Sequence, residues 1–443
     1  GLYESTEGRY AECAREMAAG SMLEPVLNGE PHWSKPPLTY WVIAGSTRVF
    51  GNNTWGARLP FAAAFILTVI AVYTIECACW EERTSGYAAL ILATSPMVIA
   101  GANTVATDAL LLLWEAWALA FYWLGVRTGR PLYVIMLYAA LGLSFATKGP
   151  IGLLPLLGIL PTQWLLRHRG AAPPSLWNLP GLGLFLVVSL WWYLLMIARY
   201  PVLLRHWIFG ELGQRMFTDA YDRNADPVAI LTLYMPIVLL GAVPWLPWVL
   251  FRLRRSMKWE TLRLLLSEPR NGPVYAFILC STVLPFALFA ISSSRMPLYL
   301  LPLFIPMAMG CGRALDRLVS AGTVNPRNIR RVAIATALIA CLIKGGVSIN
   351  KTWKDMDSLA RLVRAAPAYH EDTQLIALTS APLNGLEFHL DRRIPTVDFL
   401  IEDPEKFLKQ FKEDAVWPEI VPVANQDMID MAAGGSRFAL SPE

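Results

Sequence analysis

Long stretches without a single Asp, Glu, Lys or Arg limit what this chain can become. They cover Leu59 to Ile75, Thr84 to Thr107, Pro131 to Thr147, Gly149 to Leu166, Val228 to Phe251, Val274 to Ser294 and Met296 to Gly312. Three more runs are Ala109 to Val126, interrupted by Glu115; Asn178 to Ala198; and Val332 to Ile349, interrupted by Lys344. A bilayer core takes roughly 20 apolar residues per helix and tolerates shorter runs inside a bundle, so the pattern predicts about ten spans. Prolines inside them, such as Pro155, Pro244, Pro285 and Pro302, are acceptable because neighbouring helices can satisfy the freed backbone groups. Only 16% of residues are charged, against about 25% in soluble domains, which excludes an ordinary cytosolic enzyme. The net charge of +4 is scattered over short loops and forms no basic patch, which argues against nucleic acid as a partner.

The placement of those charges encodes topology. Arg127 and Arg130, Arg167 and Arg169, the Arg252 to Arg270 cluster, and Arg313 to Arg331 fall at alternate loops, and short basic loops mark the cytoplasmic side. One orientation then puts the opening segment, the Thr104 to Asp108 turn, the Lys148 turn, the loop 199–227, Arg295 and the tail outside. Three parts are expected: an extracytoplasmic loop with interfacial helices over 1–56, a bundle of about ten helices over 57–349, and a small α/β domain over 350–443. In the tail, Leu359 to Ala365 reads as helix, Leu375 to Thr379 as strand, Leu386 to Leu390 as short helix, Ile394 to Phe399 as strand and Pro404 to Phe411 as helix. No initiator Met or first hydrophobic span precedes Gly1, and a natural N-terminal anchor helix is expected upstream. The expected location is the plasma (inner) membrane, multi-pass, with membrane lipids as surroundings.

The chemically useful side chains collect on the outer face. Glu4 and Glu7 precede an apparent helix start, where Ser5 or Thr6 could cap; dipole compensation and chemistry are both open for them. Asp108, beside Asn103, Thr104 and Thr107, begins a span, and the same two readings hold. Glu115 is seven residues further on, on the same face and about 10 Å deeper; a structural ion pair is the expected role. Lys35, Lys148, Arg215, Arg223 and Arg295 run against the positive-inside pattern. A phosphate at the membrane surface would give them a purpose, as would lipid headgroups. Five His and six Cys show no metal spacing. No cofactor is required, and a divalent metal would need ligands distant in sequence.

Six motifs in order, ESTEGRYAECAREM, LNGEPHWSKPPLTYW, ATDALL, ATKGP, ELGQRM and SSSRMPLYLLPL, together resemble the bacterial branch of the protein O-mannosyltransferase superfamily, which includes the aminoarabinose transferases of lipid A. The resemblance implies a GT-C fold, an all-α polytopic membrane bundle with interfacial helices in the first outer loop and a small extracytoplasmic C-terminal α/β domain. It also implies an inverting glycosyltransferase that moves a sugar from a polyprenyl-phosphate donor to a lipid, glycan or protein acceptor on the outer face. The family's acidic pair falls on Thr6 and Glu7, so its Asp is absent and Glu7 or Glu4 would take that role. Its second acidic position matches Asp108, its Lys-Pro lysine matches Lys35 with Ser34 in place of the usual acid, Lys148 matches the Thr-Lys-Gly motif, and Arg295 replaces a Lys. The implied roles are Glu7, Asp108 and Glu4 in catalysis; Lys35, Lys148, Arg295 and Arg215 at the donor phosphate; and Arg9, Tyr10, Glu211 and Arg223 toward substrate. Glu7 and Asp108 are expected to face one another across a cavity. Two competing classes are a lipid-linked sugar transporter, which should place polar residues at the midplane, and a non-catalytic sugar-lipid binding protein, which needs no carboxylate pair.

Overall fold

The computed structural model describes residues 2, 6–80, 82–214, 224, 226–254, 259–349, 356–365, 374–378, 383–394, 396–397, 421–422 and 437–441. The expected Pro404 to Phe411 helix lies outside them, as do Glu4, Arg215 and Arg223. The chain divides into two compact units: residues 1–32, 40–60 and 344–443 form one, and 33–39 with 61–343 the other.

Helices dominate the larger unit. Those it holds or shares include α3 (Thr54–Cys79), α4 (Glu82–Ala93), α5 (Pro96–Ala102), α6 (Thr107–Thr128), α7 (Pro131–Lys148), α8 (Pro155–His168) and α9 (Leu179–Arg199). Among the described residues six helices are long and apolar enough to cross a membrane: 54–79, 107–128, 131–153, 179–199, 272–291 and 297–320. A pair bent by 88°, Ile230–Gly241 and Trp245–Leu253, makes a seventh if counted as one broken span. The uncharged run from Thr84 to Thr107 is not one helix, because Pro96 opens α5 and disfavours helix in the residue before it. At that break the Thr94 and Ser95 hydroxyls donate to the carbonyls of Leu90 and Ile91, each at 2.7 Å. Packing of large rings builds the core: Trp123 meets Phe277 edge-on at 5.4 Å, and buried Trp245 donates its indole N–H to Thr94 Oγ1 at 2.8 Å. That bond satisfies a polar group that would be costly to bury alone.

The smaller unit gathers both ends of the chain. Helix α1 (Thr6–Ala19) buries Tyr10, Ala11, Cys13, Ala14 and Met17, and Tyr10 stacks on Tyr40 of α2 (Leu38–Phe50) at 5.6 Å. In the tail, helix Met356–Ala365 buries Met356, Ala360 and Val363 against Leu383, Leu386, Leu390 and Ile394. A four-stranded sheet takes the order Thr396–Val397, Gln374–Leu378, Arg437–Ser441, Val421–Pro422. The first two strands pair in parallel and the other neighbours antiparallel.

Candidate active site

Three charged residues from separate motifs converge on one cavity of the larger unit. Lys148 is the last residue of α7, and the chain reverses immediately after it. Gly149 adopts φ +73, a region that suits glycine, and a Cβ there would lie 3.2 Å from the Tyr193 hydroxyl. Asp108 is the second residue of α6, where the helix dipole favours a carboxylate. The ammonium of Lys148 donates to Asp108 Oδ1 at 2.5 Å, with both side chains about 10% exposed, and sits 4.7 Å from the centre of the Tyr299 ring, within cation–π range. Lys35 lies in a bend before Pro36 and Pro37, which disfavour helix in the residue before them, and its ammonium donates to the Ser34 carbonyl at 2.8 Å.

These groups line a cavity of about 660 Å³ whose other walls are mostly apolar: Leu153, Leu154 and Leu157, Leu190, Leu194 and Ile197 of α9, and Leu288 with Phe289. Trp33 and Trp207 stand on its lining as well, and the Trp207 indole donates to the Trp33 carbonyl at 2.9 Å. Tyr193 meets Trp207 edge-on at 4.8 Å. Among the described lining residues two lysines stand with one carboxylate, a charge pattern that suits a phosphate, and the leucine walls suit an alkyl chain.

Other expected site residues are placed differently. Arg295 is buried, 4% exposed, and its guanidinium donates to the carbonyls of Asn224, Asp226 and Ala290 at 2.9, 3.2 and 2.9 Å. Asn224 returns a bond to the Arg295 carbonyl at 2.9 Å. Glu211 lies in a wide helical turn, His206–Gln214. Glu7, Arg9 and Tyr10 share α1 in the smaller unit, whereas Asp108 belongs to the larger. There the Glu7 carboxylate accepts from Arg58 at 2.5 Å, and the Arg9 guanidinium lies 5.8 Å from the Tyr10 ring centre. The capping alternative for Thr107 and Asp108 is not seen: Ala106 is the cap residue of α6 and no side chain caps that end. Glu115 departs from the expected structural pair. Its carboxyl is buried with no hydrogen-bond partner among the described residues, because Lys148 is engaged by Asp108 two turns nearer the start of α6.

Sequence reasoning missed Arg58, Tyr193, Trp207 and Tyr299. The signal for Arg58 was present: it is the lone charge near the start of an otherwise uncharged 26-residue helix until Glu76.

Comparison with known proteins follows the same residues. A family model described as dolichyl-phosphate-mannose-protein mannosyltransferase matches residues 34–193, which include Lys35, Asp108 and Lys148. The undecaprenyl phosphate-alpha-4-amino-4-deoxy-L-arabinose arabinosyl transferase 2 of Sodalis glossinidius is 30% identical over 315 residues, covering 70% of this chain and 54% of that protein. The corresponding transferase of Pseudomonas aeruginosa is 30% identical over 365 residues, covering 79% and 62%. The chain thus spans between half and two thirds of the length of these relatives. In fold it matches the crystal structure of ArnT from Cupriavidus metallidurans bound to undecaprenyl phosphate, with TM-score 0.71, 20% identity, and coverage of 99% of this chain and 94% of that one. Helical bundle, ordered motifs and these similarities all relate the chain to the dolichyl-phosphate-mannose-protein mannosyltransferases and the undecaprenyl-phosphate aminoarabinose transferases.

Proposed function

We propose that this chain is an inverting glycosyltransferase that takes a sugar from a polyprenyl-phosphate carrier and passes it to a lipid, glycan or protein acceptor on the outer face of the plasma membrane. The observation that carries this reading is the cavity in which Lys35, Lys148 and Asp108 stand on an otherwise apolar lining. A polyprenyl-phosphate sugar has the same division: a long alkyl tail, an anionic phosphate and a polar sugar. Lys35 and Lys148 would stabilise the departing phosphate as negative charge grows on its oxygen. Displacement with inversion needs an acceptor oxygen on the face opposite that phosphate, and a carboxylate takes the proton from an acceptor hydroxyl. We assign that proton to Asp108 or Glu7. Were the acceptor itself a phosphate, no base would be needed and the carboxylate would only orient it. The named relatives, undecaprenyl-phosphate aminoarabinose transferases, support the class of donor.

The decisive experiment incubates the purified protein with defined undecaprenyl-phosphate sugars and candidate acceptors and follows product by mass spectrometry. Sugar transfer that Lys148→Ala abolishes supports the reading. Thr6, standing where the family has Asp, favours a second reading, retention of a sugar-lipid without transfer; saturable donor binding with no product under any acceptor would establish it instead.

A further inference from the structure

The smaller unit holds a second cluster of ionisable groups, which the proposed reaction does not use. Helix α1 packs against the tail helix Asn384–Leu390, and two carboxyls are buried in this joint: Glu12, 0% exposed, and Glu387, 3% exposed. Arg15 is committed to Glu12 through both oxygens, at 2.8 and 2.6 Å, and reaches Asp391 at 3.2 Å. Glu387 instead accepts the amide of Ile394 at 2.9 Å. From α1 it faces Glu12, Glu16 and Arg15; Asp391 follows its own helix and bonds Arg15 and Asn52. On the adjacent helix Met356–Ala365, Asp357 pairs with Arg361 and stands 3.9 Å from His389, while Arg364 donates to the His389 carbonyl. The Arg15 guanidinium therefore serves two carboxylates, Glu12 and Asp391, across a packed joint, and an ionised Glu387 would add a further negative charge there.

We propose that this joint is a proton-dependent clamp, which holds the tail helix on α1 while the Glu387 carboxyl is neutral and slackens when that carboxyl ionises. The tail would thereby set how firmly the first-loop helix is held. Its bearing on transfer rests on the assignment of Glu7, on the same helix, to the reaction. Burial, reinforced by the negative charge of Glu12 and Glu16 and opposed by the Ile394 amide and Arg15, pushes Glu387 up from the ordinary 4.5 to about 7. The docked helix thus keeps its proton where the undocked one releases it. Docking is strongest below the undocked value and weakens as pH rises from about 4.5 to about 7, with little further loss above.

The test is hydrogen–deuterium exchange of residues 384–390 in the full chain in lipid nanodiscs, at pH 6 and pH 8, with rates corrected for intrinsic exchange. Protection should fall about tenfold between the two, and Glu387→Gln, permanently neutral, should abolish the step. A step retained in Glu387→Gln, for which a titrating His389 would be responsible, overturns the proposal, as does a native protein with no step. Should Glu387→Gln fail to fold, Glu12→Gln removes a facing negative charge and releases Arg15, both of which favour the ionised Glu387, so the step should move to lower pH; an unmoved step is equally fatal. Failure of the catalytic reading is measured separately, as unchanged turnover in Glu7→Gln, and leaves the exchange result standing.

Discussion

Lys148 and Asp108, forty residues apart in sequence, meet at 2.5 Å at the ends of adjacent helices. Both lie on the cavity lining. The pair therefore fixes α6 against α7 at the point where a donor phosphate would arrive. Removing one partner of a buried pair leaves an uncompensated charge, at a cost of about 3 to 5 kcal/mol. Lys148→Met and Asp108→Asn should each lower the thermal midpoint in detergent, and the double variant should lose less than their sum. Additive losses would show that the pair is not coupled.

Arg58 and Glu7 form a second pair, within the smaller unit. If Glu7 serves as a base, Glu7→Gln should reduce kcat by roughly 10² to 10⁴ fold with donor KM nearly unchanged. Arg58→Ala should reproduce part of that loss and Arg58→Lys recover some of it, since an ammonium can still hold one carboxylate oxygen. Equal kcat in all three variants would assign the pair to structure alone.

For Arg295 the geometry points to a tie that joins Asn224 and Asp226 to the end of helix Gly272–Ile291. A lysine cannot fork to three carbonyls, and each hydrogen bond from a charged donor contributes about 1.5 to 3 kcal/mol. Arg295→Lys should raise amide exchange over residues 226–234 while donor affinity stays within twofold, measured by titration with undecaprenyl phosphate. The phosphate-contact expectation predicts the reverse pattern.

Orientation can be read by cysteine labelling on a cysteine-free background. The charge pattern puts Asn224 outside and Ala171, beside Arg167 and Arg169, inside. An impermeant maleimide applied to intact cells should modify Asn224→Cys and spare Ala171→Cys; reversed labelling would invert the assignment.

How far the sequence was legible depended on the range of the interaction. Asp108, Lys35 and Lys148 stood out because a charge beside a long apolar run has few places to go, and the cavity unites all three. The tail helices near Leu359 and Leu386 were readable from local spacing. Pairings across many residues were not: nothing local in Arg58 points to Glu7, and nothing local in Arg295 points to the carbonyls of Asn224 and Asp226. Glu115 misled for the opposite reason, since an acid inside a span implies a partner, yet the nearby cation is held by Asp108. The break at Pro96 was visible as a proline but not as a boundary, because prolines are tolerated within spans such as α3, which contains Pro60.

The smaller unit draws on both ends of the chain, and this has a consequence for biosynthesis. Helix α1 leaves the ribosome before the tail helix that packs on it, which follows only after the intervening segment, Phe61 to Ile343, has been made. At about 5 to 20 residues per second, those roughly 280 residues take on the order of 15 to 60 s. Throughout that interval the first loop waits with Glu12 and Arg15, which meet Glu387 and Asp391 in the finished joint, uncovered by the tail, so a truncated or stalled chain would present that face of the helix to quality-control proteases.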